Sequence, residues 1–310
     1  MEFLFILIII GILFVIGYFA IGNYFYNIAL NPKTDKAFVL GNPEVTEEEK
    51  EYIRLREEWI NNNSNDVYIT STNNGSIKLH AYEVKSDIKT DVWTIVIHGY
   101  MSKGNEMMWA AKPFADEKYN VLIPDLRGHG LSEGNYIGMG WDDRLDIIDW
   151  INYIIKKNPD SKIILWGVSM GAATTMMTTG EELPKNVKVA IADCGYSSAW
   201  DQFAYQLKRL FKLPTFPVLN AANTVCKIRA GYSFKDASCI KQLKKSKTPT
   251  LFIHGSADDF VPFSMLDVVY NAAACEKEKL VIEGAGHGLS STVNTELYLN
   301  TINKFIEKYL

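Results

Sequence analysis

The sequence predicts an α/β fold with a mostly parallel, doubly wound sheet, preceded by one apolar N-terminal helix. From about residue 92 onward, short apolar runs alternate with longer amphipathic stretches, which is the pattern of consecutive βα units. The short runs are apolar throughout, as expected of strands that helices cover on both faces. A chain of 310 residues with 47% hydrophobic content is long enough to bury one large core.

The first element is an uncharged apolar run of 20 residues from Phe3 to Gly22, long enough to cross a bilayer as a helix. Three tyrosines near its far end suit a membrane interface: Tyr18, Tyr24 and Tyr26. A cleaved signal peptide is the alternative, because Ala20-Ile21-Gly22 has the spacing of a cleavage site, although no Lys or Arg precedes the run. We expect residues 1–30 to form an uncleaved single-span anchor whose removal leaves a soluble, active domain.

Residues 31–65 are expected to be a linker and an amphipathic helix. The acidic stretch from Asn42 to Ile60 has helical spacing, and an asparagine-rich break follows it. Two alternating runs then predict an antiparallel pair with a turn between them: Val67–Thr70, Ile77–Tyr82 and Asn73-Asn74-Gly75. The main domain is expected to occupy residues 66–310.

The later elements follow from the alternation of apolar and amphipathic stretches. Six strands are predicted: Val92–His98, Val121–Asp125, Lys162–Gly167, Val187–Asp193, Pro249–His254 and Lys279–Glu283. Helices are predicted near residues 105–117, 141–157, 170–180, 261–275 and 293–308. The carboxyl ends of parallel strands share one edge of a sheet, and open α/β sheets place their sites at that edge.

One predicted strand runs directly into Gly167-Val-Ser-Met-Gly171, followed by small residues where a helix can begin. A strand that feeds abruptly into a helix makes a tight, strained turn, which exposes the residue at its apex, Ser169. Glycine at both ends of the motif removes the Cβ atoms that would collide as strand and helix cross. Unpaired backbone N–H groups at the helix start can stabilise negative charge beside the hydroxyl. Ser169 is therefore the candidate nucleophile.

A serine nucleophile needs a base, and the base needs an acid that orients it. The loop after the next-to-last predicted strand contains Asp258 and Asp259, and the loop after the last one contains His287. Both loops follow strands and so lie at the same sheet edge as Ser169. Asp193, at the end of a further strand, is a rival for the acid.

These motifs, in the order Ser, Asp, His, resemble those of the α/β-hydrolase family over about residues 66–310. The resemblance implies an acyl-enzyme mechanism in which Ser169 is the nucleophile and His287 is the base. It favours Asp258 as the acid, since the family places this residue three positions after the Gly of His-Gly. It implies that neither a metal nor a cofactor is required.

The resemblance also implies an oxyanion hole made of two backbone N–H groups, those of Tyr100 and Met170. Tyr100 belongs to a His-Gly-Tyr-Met sequence rather than the His-Gly-Gly-Gly of many lipases. We interpret His98, which opens that sequence, as a structural partner of the loop. Asp125 and His129, in Pro-Asp-Leu-Arg-Gly-His-Gly, are interpreted as parts of a structural loop that lines the site.

The βα alternation lapses over about residues 196–247, where the resemblance implies a cap over the active site. This segment has ten basic and two acidic side chains, a net charge of +8 that leaves −12 for the rest of a chain whose net charge is −4. Lys208, Arg209 and Lys212 have helical spacing beside apolar residues. We expect them to face lipid head groups, so that the cap admits an apolar acyl substrate from the membrane; a solvated helix surface is the alternative.

Composition excludes several other classes. A net charge of −4 argues against a nucleic-acid-binding protein, so the expected partners are a small acyl substrate and membrane lipid. The four cysteines are too widely spaced for a zinc site: Cys194, Cys226, Cys239 and Cys275. We expect buried free thiols, with a Cys226–Cys239 disulfide as the alternative in an oxidising compartment.

Two observations make opposite predictions about which side of the membrane the catalytic domain occupies. Lys33 and Lys36 follow the span, and the positive-inside rule then keeps the domain in the cytoplasm. The chain also resembles bacterial membrane-bound, cell-surface hydrolases, which places the catalytic domain outside. We expect a single-pass protein of the cell membrane with an extracellular domain.

The expected activity is hydrolysis of carboxylic esters. Prolyl-oligopeptidase-like peptidases and acyl thioesterases or acyltransferases share the same motifs, so peptide cleavage and acyl transfer are alternatives. A non-catalytic binding protein on a hydrolase scaffold is an alternative of another class. The complete set of Ser169, Asp258 and His287 argues against it.

Overall fold

The computed structural model describes residues 1–36, 46–73 and 76–310. Its strands are β1 (Ser64–Thr70), β2 (Lys78–Val84), β3 (Val92–Ile97), β4 (Asn120–Pro124), β5 (Lys162–Val168), β6 (Val187–Asp193), β7 (Thr250–Gly255) and β8 (Lys277–Ile282). They form one sheet in the order β1-β2-β4-β3-β5-β6-β7-β8. Strand β2 is antiparallel to β1 and to β4, and the other neighbours are parallel. The mostly parallel sheet predicted from the sequence is confirmed.

The first four described helices are α1 (Glu2–Leu30), α2 (Glu47–Asn63), α3 (Met108–Asp116) and α4 (Asp143–Lys157). The others are α5 (Met170–Thr178), α6 (Ala199–Phe211), α7 (Thr215–Arg229), α8 (Cys239–Leu243), α9 (Ser264–Ala272), α10 (Ser290–Val293) and α11 (Thr295–Glu307). The start of the helix predicted at Asn42 and the turn residues 74–75 lie outside the described residues. Helix α2 begins after Thr46, which forms a capping box with Glu49.

Apolar side chains fill both faces of the sheet, as parallel strands require. One face packs against α4, α5 and α9 through Ile147, Trp150, Met176, Met177 and Leu266. The opposite face packs against α2, α3 and α11 through Ile60, Phe114, Tyr298, Ile302 and Phe305. Helices on both faces hold the strand ends rigidly, so the loops that leave those ends start from fixed positions.

Helix α1 is long and apolar enough to cross a membrane, with a mean hydropathy of 3.1 over its most apolar stretch, and a signal sequence has the same properties. Residues 1–16 are exposed, whereas Tyr26 and Leu30 are buried in the main core. The helix therefore continues about two turns beyond the apolar run and enters the folded body. This arrangement differs from the separable anchor expected from the sequence, because the composition of the run does not reveal what its last turns contact.

The helices between β6 and β7, residues 199–243, lie in the segment expected to form a cap and are called the cap below; α1 packs against them. An added Cβ at Gly22 would lie 2.6 Å from the carbonyl oxygen of Ala221 in α7, so the two backbones are in direct contact. The Arg229 guanidinium donates to the side-chain oxygen of Asn23 at 2.9 Å and lies 4.5 Å from the centroid of the Tyr26 ring. Polar and van der Waals contacts thus join the end of α1 to the cap.

Candidate active site

The candidate nucleophile lies where β5 ends and α5 begins. Ser169 has φ 56° and ψ −115°, a strained conformation that a strand-to-helix turn imposes on its apex residue. Its backbone N–H donates to the Asp193 carbonyl oxygen at 2.8 Å, and its own carbonyl accepts from the Ala173 N–H at 2.9 Å. Ser169 is 8% exposed, so its hydroxyl faces a confined space rather than bulk solvent.

The two glycines of the motif are required by close backbone approach. A Cβ at Gly167 would lie 2.3 Å from the Gly171 carbonyl oxygen, and a Cβ at Gly171 would lie 2.0 Å from the Ile97 carbonyl oxygen. Any side chain at either position would push α5 away from β3 and β5. The turn that presents the Ser169 hydroxyl to the site therefore depends on both glycines, as expected from the sequence.

The structure brings Ser169, His287 and Asp258 together in one line of hydrogen bonds. His287 Nε2 is 2.8 Å from Ser169 Oγ, and His287 Nδ1 is 2.8 Å from Asp258 Oδ2. An ionised carboxylate only accepts, so Nδ1 carries the proton and Nε2 is free to accept from the serine hydroxyl. This is the tautomer that a general base needs.

Asp258 is held by donors on every side. Its Oδ1 accepts from the backbone N–H groups of Phe260 and Val261, each at 2.9 Å. Its Oδ2 accepts from His287 and also lies 3.1 Å from His254 Nε2. Burial would raise the pKa of Asp258, yet the hydrogen bonds from the two histidines hold it well below its usual value. The carboxylate therefore stays ionised beside His287 at neutral pH.

His254 is a residue whose role the sequence did not reveal. Its Nε2 lies 3.1 Å from Asp258 Oδ2 and 3.0 Å from the Val261 carbonyl oxygen, and both are acceptors, so this nitrogen carries the proton. The side chain is buried at the end of β7, four residues before the carboxylate that it contacts. The His-Gly pair in the sequence was the available signal, but only the turn after β7 shows that the imidazole reaches the acid.

We expect His254→Leu to lower kcat by about 10- to 100-fold while KM changes little. A hydrogen bond to a charged group contributes about 1.5–3 kcal/mol, and its loss lets Asp258 move away from the geometry that orients His287. His254→Gln, which keeps a side-chain N–H donor, is the control and should recover much of the loss. Steady-state kinetics on a short soluble ester measure both values, and an equal loss in the two variants would contradict a positioning role.

The two rival carboxylates lie elsewhere. Asp193 accepts from Ser290 Oγ at 3.3 Å and from Tyr298 Oη at 3.0 Å, and its burial raises its pKa to about 6. Asp259, whose side chain is 81% exposed, is 3.7 Å from the Arg209 guanidinium. Among the described residues, the hydrogen bonds of the His287 ring go to Ser169 and Asp258. Geometry thus favours Asp258 over both.

Tyr100 and Met170, the predicted oxyanion donors, flank Ser169. Both line the cavity beside its hydroxyl. Met170 is the first residue of α5, where a helix has backbone N–H groups without intrahelical acceptors. Met101, next to Tyr100, has φ 60°, so the loop after β3 turns sharply there.

Two neutral histidines, His98 and His129, form hydrogen bonds that hold the loop after β3. His98 Nδ1 donates to the Gly99 carbonyl oxygen at 2.7 Å, and its Nε2 accepts from the Leu126 N–H at 3.0 Å. His129 Nε2 accepts from the Met101 N–H at 3.3 Å, and burial lowers the pKa of His129 to about 3. Both imidazoles act as fixed hydrogen-bonding groups of the loop, in line with the structural role expected for them.

Asp125 ties the same loop to the sheet. Its carboxylate accepts from the Gly104 N–H at 2.6 Å, the Leu131 N–H at 2.9 Å and His80 Nδ1 at 2.8 Å. The carboxylate is buried, and these three donors hold it in the loop rather than in contact with Ser169 or His287. The loop that contains Asp125 and His129 is therefore structural.

The side chain of Tyr100 connects this loop to α1. Its hydroxyl donates to the Ala29 carbonyl oxygen at 2.8 Å, and the Ile137 N–H donates to the Leu30 carbonyl oxygen at 2.8 Å. The last four carbonyl groups of a helix lack intrahelical donors, so both contacts satisfy groups that α1 leaves free. The residue expected to hold the oxyanion is thus fastened to the end of α1.

Two cavities meet at Ser169. The first, of about 100 Å³, is apolar, with walls of Phe25, Ile28, Ala29, Met139, Tyr196, Phe203, Leu207, Leu210, Phe211, Val218, Leu219, Ala222 and Phe234. The second, of about 420 Å³, is open and more polar, and Ser102, Trp109, Arg209, Phe260 and His287 lie on it. An acyl chain fits the first chemically, and a polar leaving group fits the second.

Arg209 faces the active site rather than lipid. Its guanidinium points to Asp259 and lies 5.9 Å from the centroid of the Phe260 ring, at the polar cavity. The expectation that Lys208, Arg209 and Lys212 form one membrane-facing group is therefore wrong for Arg209. Helical spacing places residues on a face but does not say what that face meets.

All four cysteines are free, which agrees with the expectation of unpaired thiols. Cys194 lies beside the site, and its Sγ is within 4.8 Å of ligand atoms of Asp258 and His287. Burial raises the pKa of this thiol well above its usual value, so it is protonated and is a poor metal ligand. The histidine and the carboxylate are engaged with each other, and the donor set does not suit a metal.

Comparison with known proteins identifies the fold family. A family model described as alpha/beta hydrolase fold matches residues 94–216. The protein YqkD of Bacillus subtilis (strain 168) is 30% identical over 214 residues, covering 69% of this chain and 70% of that protein. A thermostable monoacylglycerol lipase of Bacillus sp. (strain H-257) is 22% identical over 251 residues, covering 70% and 91%.

A solved structure agrees. The Pyrococcus furiosus esterase Pf2001 superposes with a TM-score of 0.62 and 25% sequence identity, over 79% of this chain and 92% of that one. The sheet, the strand-to-helix turn and the order of the motifs are those of one family. The chain belongs to the alpha/beta-hydrolase fold family and is a hydrolase.

Proposed function

We propose that this hydrolase is a membrane-anchored serine esterase that cleaves carboxylic esters through an acyl-enzyme. The observation that carries the proposal is the unbroken line of hydrogen bonds from Ser169 through His287 to Asp258, each 2.8 Å long. A hydroxyl, an imidazole in the correct tautomer and an ionised carboxylate in this order are the parts that acyl transfer requires.

In the proposed reaction, Ser169 Oγ attacks the ester carbonyl carbon while its proton passes to His287 Nε2. The carbonyl oxygen gains negative charge, which the N–H groups of Tyr100 and Met170 stabilise. His287 then gives its proton to the departing alcohol, and the acyl group remains on the serine. Water repeats the sequence and releases the acid. No step requires a metal or a cofactor.

The two cavities support an ester with an apolar acyl group and a polar alcohol. The acyl chain occupies the apolar cavity, and the alcohol leaves through the polar one, where Arg209 lies. The names of two relatives, a monoacylglycerol lipase and an esterase, agree with such a substrate. An acylaminoacyl peptidase of Pyrococcus horikoshii shares the fold at 17% identity, so a peptide bond is the competing substrate class.

We expect the full-length enzyme to hydrolyse p-nitrophenyl esters with a kcat/KM well above that for p-nitroanilides and thioesters of the same acyl chain. The reason is that a nitrophenolate departs with little help from a proton donor, whereas an amine must take a proton from His287 as it leaves. A panel with acyl chains of graded length measures the preference. A higher kcat/KM for the anilide would assign a peptidase, and the absence of turnover with any of them would favour a binding protein.

We further propose that α1 is an uncleaved span and that the protein resides in the cell membrane. Residues 1–30 form the anchor, residues 31–65 a linker with α2, and residues 66–310 the hydrolase domain, to which the end of α1 is joined. The 3.1 Å hydrogen bond between the Tyr18 and Thr224 hydroxyls and the close approach of Gly22 to Ala221 support retention of the helix, because cleavage near Gly22 would remove the α1 side of these contacts. We place the domain at the extracellular face, and protease treatment of intact cells tests that side against the cytoplasmic one.

A further inference from the structure

The apolar cavity is not built by the hydrolase domain alone. Three residues of α1 line it, namely Phe25, Ile28 and Ala29, together with Ser169 at its inner end. The Phe25 ring packs edge-on against the Phe211 ring of α6, with centroids 5.2 Å apart. The last two turns of the membrane helix are thus one wall of the space beside the nucleophile.

In the proposed span, this wall lies at the outer edge of the lipid head-group layer. Exposed apolar residues of α1 continue to Ile21, and the cavity-lining residues follow four to eight positions later. At 1.5 Å per residue, the cavity therefore starts about 6–12 Å beyond the end of the apolar run. A head-group layer is about 5–7 Å thick on each side of the hydrocarbon core, so the cavity adjoins the bilayer surface.

The cap has exposed apolar side chains beside α1. Helix α1 packs along α7, where Tyr18 meets Thr224 and Asn27 meets Arg229. The start of α7 precedes these contacts in the chain. Phe216, at that start, is 75% exposed, and Leu213 just before it is also exposed. Large apolar side chains that face outward beside a membrane helix suit contact with lipid.

Cationic side chains border this apolar surface. Lys212 is exposed next to Leu213, and Lys208 is exposed one turn earlier on α6. Near an anionic leaflet each Lys contributes about 1 kcal/mol of attraction. Apolar residues bordered by lysines are the arrangement of an interfacial lipid-binding surface.

Building on the proposed esterase function, we propose that the acyl site is formed jointly by α1 and the cap, and that it takes a single acyl chain of a membrane lipid ester directly from the adjacent leaflet. The chain passes between Phe25 and Ile28 of α1 and the apolar side chains of the cap. Its ester carbonyl then reaches Ser169, and the polar head lies in the cavity that contains Arg209.

The test makes one side chain of the α1 wall, Ile28, larger in one variant and smaller in another. Full-length enzyme in detergent is assayed on p-nitrophenyl acetate and p-nitrophenyl decanoate, and the ratio of kcat/KM for decanoate to that for acetate is compared among variants. Ile28→Trp, which narrows the cavity, should lower this ratio by about tenfold or more, and Ile28→Ala should shift the preference toward longer chains. Ile21→Trp, at an exposed position two turns earlier on α1 and outside the cavity, is the matched control and should leave the ratio unchanged.

A second pair of variants tests delivery from the bilayer. Full-length enzyme is reconstituted in phosphatidylcholine vesicles that contain 1-monooleoylglycerol. Gly22→Leu drives a side chain into the Ala221 carbonyl and separates α1 from the cap, so hydrolysis of the embedded ester should fall by about tenfold or more. Gly17→Leu is the control, because no atom lies within 4 Å of a Cβ added there.

Labelling with a fluorophosphonate separates the two proposals. If wild type is labelled through Ser169 and the Ile28 variants keep the wild-type chain-length ratio, the joint acyl site is wrong although the esterase stands. If hydrolysis of the vesicle ester survives Gly22→Leu, delivery along α1 is wrong. If wild type is not labelled at Ser169, the esterase proposal itself falls. Should Ile28→Trp fail to fold, Ile28→Ala still reports the shift in the opposite direction.

Discussion

Ser169→Ala is expected to abolish covalent labelling by a fluorophosphonate and to lower ester turnover by about 10⁴-fold or more. The reagent bonds to an activated serine, and His287 Nε2, 2.8 Å from Oγ, is the activating group. Without the hydroxyl, the imidazole has no proton to take and no acyl-enzyme forms. The remaining activity would come from binding and from the oxyanion donors acting on water.

Gel-based labelling and single-turnover kinetics on p-nitrophenyl butyrate measure both effects. Ser86→Ala is a control, because Ser86 lies on the loop after β2, away from the site. A thermal unfolding curve for each variant excludes loss of fold as the cause. Equal labelling of wild type and Ser169→Ala would show that the nucleophile is another residue.

Asp258→Asn is expected to cost roughly 10⁴-fold in turnover while the protein remains folded. The carboxylate accepts from His287 Nδ1–H at 2.8 Å and thereby keeps Nε2 unprotonated. An amide can donate at that point, which favours the tautomer with the proton on Nε2. That nitrogen can then no longer accept the proton of Ser169, although every heavy atom keeps its place.

Two further carboxylates supply matched controls. Asp193→Asn should cost far less, because Asp193 is bonded to Ser290 and Tyr298 rather than to the base. Asp259→Asn should cost least, since its side chain is 81% exposed. Turnover of the three variants on one ester ranks them. A greater loss at Asp193 than at Asp258 would move the acid to the end of β6.

The fold was predictable because its signals are local. Strands β3 to β7 are mainly apolar runs, and parallel strands necessarily bring their carboxyl ends to one edge. The loops with Ser169, Asp258 and His287 therefore converge once the strand pattern is read correctly. The glycines around Ser169 were readable for the same reason, since the turn is made within five residues.

What the sequence could not show arises from contacts between distant segments. His254 and Asp258 are four residues apart, but their contact depends on the turn between them. Arg209 shares helical spacing with two lysines, yet tertiary packing directs it to the active site instead of outward. The end of α1 is the largest case, because hydropathy describes how a helix relates to a membrane and says nothing about which protein surface its last turns meet.

The hydrogen bond from Tyr100 to Ala29 makes α1, the proposed anchor, a working part of the enzyme rather than an interchangeable tether. The Ala29 carbonyl that accepts this bond is fixed by the packing of α1 on the cap and on the main core. Another membrane helix fused at residue 31 would hold the domain at the same surface without restoring that acceptor or the cavity wall. Exchanging the segment would therefore preserve the location of the domain and change its activity.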